Sequence, residues 1–75
     1  MLVCYPNPVR DVVTLVTNSK LACSDYSIID FTGKTVLKAR LSGESTQVNL
    51  GFLASGIYWI RLETEKKVSF KMLKL

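Results

Sequence analysis

Short apolar and polar runs alternate along the chain and break at turn-forming residues. Val12-Val13-Thr14-Leu15-Val16 is β-branched and brief, bounded by Asn7-Pro8 before it and Asn18-Ser19 after it, which predicts a strand between turns. Tyr26 to Phe31 predicts a second strand. It runs into Asp30-Phe31-Thr32-Gly33, with Asp first and Gly fourth as in a type I turn, so a tight hairpin is expected there. Thr35, Leu37, Ala39 and Leu41 then alternate with Val36, Lys38 and Arg40, the period of a strand with one wet face. Ser42-Gly43-Glu44-Ser45 reads as the next turn, and Thr46, Val48 and Leu50 alternate with Gln47 and Asn49 in a short strand after it.

Gly51 to Gly56 is a loop with apolar content, of the kind that plugs the end of a core. The next strand, Ile57 to Thr64, puts Tyr58, Ile60 and Leu62 on one side and Ile57, Trp59, Arg61 and Glu63 on the other; the first set is assigned to the core. Glu65-Lys66 reads as a hairpin tip. The final strand carries Val68, Phe70 and Met72 on one face and Lys67, Ser69 and Lys71 on the other. Its alternation then inverts, because Lys74 falls in the apolar row, so the strand is expected to bulge, twist or leave the sheet at its end. A helix reading fails here, since it would stack Val68 on Lys71 and Phe70 on Lys74. At the other end, the two prolines of Tyr5-Pro6-Asn7-Pro8 exclude helix and predict a rigid, extended lead-in. The pattern predicts an all-β fold: a small Ig-like β-sandwich of about six to seven mostly antiparallel strands with no substantial helix.

Seventy-five residues make one domain, and a chain this short buries only ~60% of the surface its unfolded form exposes. A deep substrate cleft is not expected. Hydrophobic residues at 48% and charged residues at 21% mark a packed domain and not a disordered tail. The chain has no His, which removes the usual general base, the commonest zinc ligand and any Ser-His or Cys-His pair. Each of the four glycines sits alone at a turn, so no phosphate-binding loop exists. We therefore expect no enzyme, no cofactor and no metal. Cys4 and Cys23 allow one possible disulfide, which would add roughly 3 kcal/mol if the geometry fits. A free Cys among apolar neighbours is the other reading.

Ten Lys and Arg stand against six Asp and Glu, and half of the bases (Arg61, Lys66, Lys67, Lys71, Lys74) lie in the C-terminal stretch. Such asymmetry suits an anionic partner, or simply keeps strand faces soluble and edges unpaired. A nucleic-acid-binding barrel is disfavoured, because the aromatics are few and poorly aligned. Tyr58 and Trp59 face opposite sides of one strand, so they cannot make a single platform; Trp59 is the better candidate for a contact surface. No apolar run reaches the ~18 residues of a membrane span. No signal peptide opens the chain, and the expectation is that residues 1–75 form a single C-terminal domain of a longer secreted protein.

Four pieces in order, Tyr5-Pro6-Asn7-Pro8 with Asp11, then Ile28 to Asp30 with Gly33-Lys34, then Val48-Asn49-Leu50 with Leu53 to Tyr58, then a Lys-rich apolar last strand, span essentially the whole chain. Together they resemble the type A C-terminal sorting domain of the type IX (Por) secretion system. The resemblance implies a domain that crosses the inner membrane with its cargo, folds in the periplasm and is recognised by the outer-membrane translocon. It also implies removal by a sortase-like protease, a step that can attach the cargo to an anionic lipopolysaccharide at the cell surface. The family's recognition determinants map onto the Gly56-Ile57-Tyr58 turn and strand and onto the C-terminal stretch, giving Gly56, Tyr58, Lys67, Lys71, Lys74 and Leu75 as candidates. The last strand could offer such a partner an open edge. Cys4 and Cys23 are not part of the family's pattern, and no scissile bond can be named. The alternative is an Ig-like or fibronectin-like module, binding carbohydrate or protein, in a secreted multidomain protein. Pairing of two copies through an edge strand is a further expectation for so small a domain.

Overall fold

A computed structural model describes residues 2–63 and 69–75 of the chain. Among these residues the strands are β1 (Leu2–Tyr5), β2 (Val12–Thr17), β3 (Asp25–Asp30), β4 (Thr35–Arg40), β5 (Ser45–Asn49), β6 (Gly56–Leu62) and β7 (Ser69–Lys74). The only helical turn among them is a 3-10 turn at Ser19–Leu21. They form a three-stranded sheet in the order β1-β2-β5 and a four-stranded sheet in the order β4-β3-β6-β7. Every strand pairing is antiparallel. The fold is the all-β sandwich that the alternation predicts.

The core lies between the sheets and follows the period of two. The three-stranded sheet contributes Leu2, Cys4, Val13, Leu15 and Val48, and the four-stranded sheet contributes Tyr26, Ile28, Tyr58, Ile60, Leu62 and Met72. Full burial of a Leu or Ile side chain is worth roughly 1.5–3 kcal/mol, so Leu15, Ile28, Ile60 and Leu62 hold the two layers together. Connections close the ends: Val9, Leu41 and Leu50 are buried, and Leu53 packs against the core as the apolar plug expected of its loop. Phe52 in the same loop points outward.

β3 departs from simple alternation, since Tyr26, Ser27 and Ile28 are all buried. It is a central strand, flanked by β4 and β6, so neighbouring side chains cover its outer face too. There the Ser27 hydroxyl donates to the Glu63 carboxylate. The β3–β4 hairpin turns where expected. Gly33 donates its N–H to the Asp30 carbonyl at 3.0 Å and adopts a φ of 89°, a conformation that costs a glycine nothing. One Asp30 carboxylate oxygen accepts from the Thr32 hydroxyl, the Thr32 N–H and the Lys34 N–H. These bonds, the one from the Thr32 hydroxyl foremost, hold the Asp30 carboxyl below its ordinary pKa.

The N-terminal side adds a strand, and its two cysteines stay apart. The lead-in before the prolines is itself a strand, with Leu2, Val3, Cys4 and Tyr5 registered against Thr17, Val16, Leu15 and Thr14. The Tyr5–Pro6 and Asn7–Pro8 peptide bonds that follow are both cis. The Cys4–Cys23 disulfide is not formed: both thiols are free, Cys4 buried and Cys23 exposed. Cys4 points from β1 into the sandwich, while Cys23 lies outside, in the connection that leads into β3. Cys4 is thus the small hydrophobe of the second reading. Burial pushes its thiol pKa up to about 12.

Candidate recognition surface

β7 is an edge strand of the four-stranded sheet, and one side of it is fully engaged. It pairs with β6 from Arg61↔Ser69 through Tyr58↔Met72 to Gly56↔Lys74 without a break in register. The expected bulge or departure at the end of this strand does not occur. Lys74 stays in the inward row and is only 5% exposed, and its Nζ donates to the main-chain oxygen of Leu75 at 2.8 Å. A lysine is tolerated in an apolar row because its alkyl stem packs while its ammonium finds an acceptor at the end of the sandwich.

The other side of β7 is closed by the segment between β1 and β2. Asn7 sits between two prolines, neither of which has an N–H to give a neighbouring strand. Its side-chain amide stands in for a peptide group: Nδ2 donates to the Lys71 carbonyl at 3.1 Å, and Oδ1 accepts from the Leu73 N–H at 3.0 Å. Val9 continues the pairing through its backbone, donating to the Leu73 carbonyl and accepting from the Leu75 N–H, both at 2.8 Å. The result is a parallel bridge between Val9 and Lys74, with the Val9 side chain buried. Residues 71–75 therefore present no open edge to a partner, contrary to the expectation of an exposed strand edge there. Sequence reading saw only stiffness in this segment; an amide placed between two residues that lack donors was the available signal.

The other candidates fall into place around this strand. Gly56 begins β6 opposite Lys74, with a φ of 151°. Two residues on, Tyr58 is buried, and its hydroxyl donates to the Ala54 carbonyl at 2.7 Å, tying the apolar loop to the sheet. Lys71 and Leu75 are exposed, and Lys67, with Thr64 to Val68 as a whole, lies outside the described residues. The candidates thus divide. Gly56, Tyr58 and Lys74 belong to the construction of the end of the sandwich, whereas Lys71 and Leu75 face solvent. Trp59 lies on the outer face of the four-stranded sheet, between Ile29 of β3 and Lys71 of β7. Together with Ile29, Phe31 and Arg61 it lines a shallow groove of about 300 Å³.

A family model of the secretion system C-terminal sorting domain matches residues 3–74. The chain belongs to this family. It is a C-terminal sorting signal of the type IX secretion system, and such a signal serves export through the outer membrane to the cell surface or the medium. A solved structure supports the same assignment: PorZ of Porphyromonas gingivalis, described as an essential bacterial surface component of the type IX secretion system. The sorting domain matches it with a TM-score of 0.69 and 25% identity over 99% of its own length, and spans 11% of the PorZ chain. Among curated protein sequences no match is found. The family match covers the strap from Tyr5 to Val9 as well as β6 and β7, so the segments that meet at the closed edge all lie within the family's bounds.

Proposed function

We propose that this sorting domain folds in the periplasm as a closed sandwich and is recognised by the outer-membrane translocon of type IX secretion while folded. The attached cargo follows it across, and a sortase-like protease then removes the domain upstream of β1. The domain itself is a label without catalytic activity. The observation that carries this reading is the family match over residues 3–74, which takes in all of the described strands but for Leu2 of β1. A label that depends on the whole sandwich requires the fold for recognition, and an unfolded tail would not suffice. Binding of carbohydrate by a free-standing module finds no comparable support.

The test is a fusion of a reporter, bearing a Sec signal, to residues 1–75, expressed in a host that carries the type IX system. The expected result is reporter at the surface or in the medium, with the domain missing by mass. A reporter that remains in the periplasm with the domain attached and folded overturns the reading. Deleting Lys71 to Leu75 is a poor control, because it removes Met72 and Lys74 from the interior and the partner of Val9 with them.

A further inference from the structure

The outer face of the four-stranded sheet is the broader of the two faces that the sandwich leaves to solvent. Register sets its side chains in rows, with Ile29, Trp59 and Lys71 in one, Ser27, Arg61 and Ser69 in the next, and Ile57 beside Leu73. Apolar groups stand open to water around Trp59: Phe31 is 78% exposed, Leu73 41% and Ile57 37%. A second hollow, lined by Ile57, Lys71 and Leu73, continues the face toward Asn7. Exposed apolar groups gathered on one face mark an interaction surface more often than scattered ones do.

Among the described residues, the charges on and around this face are not balanced. Asp25 is paired with Arg40 at 2.9 Å, Asp30 is taken up by its own turn, and Glu63 accepts from Ser27. Lys38, Arg61 and Lys71 form no ion pair with another described residue. Moreover, the Nε of Arg61 is buried at the groove and has no hydrogen-bond acceptor among the described residues. That N–H is itself closed to a docking partner, but Arg61 lines the groove, and a carboxylate is the group whose geometry fits a guanidinium's planar fork.

We infer that this face docks a segment of a partner protein that sets a carboxylate beside an apolar side chain, the carboxylate on Arg61 and the apolar group on Trp59 and Phe31. This rests on the sorting reading above, in which a translocon protein must grip the folded domain. With residues 71–75 closed along their edge, the partner meets the last strand through its outward side chains, Lys71 and Leu73, and not by adding a strand. An anionic glycan fits less well, because its hydroxyls would meet Ile29, Phe31, Ile57 and Leu73. A second copy fits less well again, because face-to-face pairing would bring like charges together in a chain of net charge +4.

Trp59 is the sole tryptophan, so its fluorescence reads this face directly. The probes are end-blocked hexapeptides that alternate Phe with Asp or Phe with Asn, and trigalacturonate. The Asp peptide is expected to shift Trp59 emission and to bind about tenfold more tightly than the Asn peptide, as a charge-assisted bond should. Arg61→Gln should erase that preference, and Phe31→Ser, at a side chain outside the core, should weaken both peptides while thermal melting stays unchanged. Equal binding of the two peptides, an intact preference in Arg61→Gln, tighter binding of trigalacturonate, or a dimer that buries Trp59 would each overturn the inference. The titration needs no export host, so its failure and that of the fusion experiment are told apart.

Discussion

The side chain of Asn7 grips the backbone of Leu73, accepting its N–H at 3.0 Å while donating to the Lys71 carbonyl two residues earlier. One side-chain amide thereby occupies the edge position of a whole strand residue, and Val9 fills the next. Removing it leaves two main-chain groups of β7 to water. Each such bond contributes about 0.5–1.5 kcal/mol, so Asn7→Ala should destabilise the domain by roughly 1–2 kcal/mol in denaturant titration. Asn7→Asp should fare no better, since a carboxylate cannot donate to Lys71 and would face its carbonyl oxygen.

At the far end of the same pairing, Gly56 opposes Lys74 with a φ of 151°. Open space surrounds the position where a Cβ would stand, so the obstacle to a side chain is backbone strain and not a clash. Gly56→Ala should cost about 1–3 kcal/mol, and a melting curve would read it. Tyr58→Phe should lose about 1 kcal/mol through the bond to Ala54, with the ring still packed.

The two thiols should behave oppositely. Cys23 is exposed and should react promptly with an aromatic disulfide reagent at neutral pH, whereas Cys4 should react only in denaturant. The Cys4 pKa is raised, so its neutral form belongs to the folded state and an unfolded chain ionises first. Its contribution is complete below the unfolded thiol value of 9.0 and is lost as pH climbs from there toward about 12. Cys4→Ala should flatten the stability profile in that alkaline window, as followed by circular dichroism.

Asp30 works at the acid end. Its pKa is lowered by the bonds from Thr32 and Lys34, so its contribution is present above the unfolded carboxylate range. That contribution disappears as pH falls through the lower folded value. Asp30→Asn should make the β3–β4 hairpin less sensitive to acid, and the amide resonances of Thr32 and Lys34 would follow the titration.

How far the fold could be read in advance depends on what sets each feature. Alternation is a local property, and it correctly placed Tyr58, Ile60 and Leu62 inside. The Asp30-Gly33 turn is likewise local chemistry. Lys74 was misread because hydropathy alone scores its ammonium, whereas the structure buries its stem and satisfies the charge at Leu75. β1 escaped notice because it is four residues long and runs straight into two prolines. The closed edge of β7 joins residues more than sixty positions apart, and no periodicity connects Asn7 with Leu73. Arg61 was visible as an outward base, but the burial of its Nε is a property of the folded sheet that alternation does not show.

The claim on which the rest depends is that strap and last strand form one closed edge, so that a partner reads β7 from its outer face. Native-state hydrogen exchange tests it directly at the amides of Val9, Leu73 and Leu75, which donate to Leu73, Asn7 and Val9 respectively. Protection of all three to the level of Ile60 in β6, with Leu73 losing its protection in Asn7→Ala, is the predicted result. Exchange of Leu73 and Leu75 at the rate of an open chain, while β6 remains protected, would contradict it.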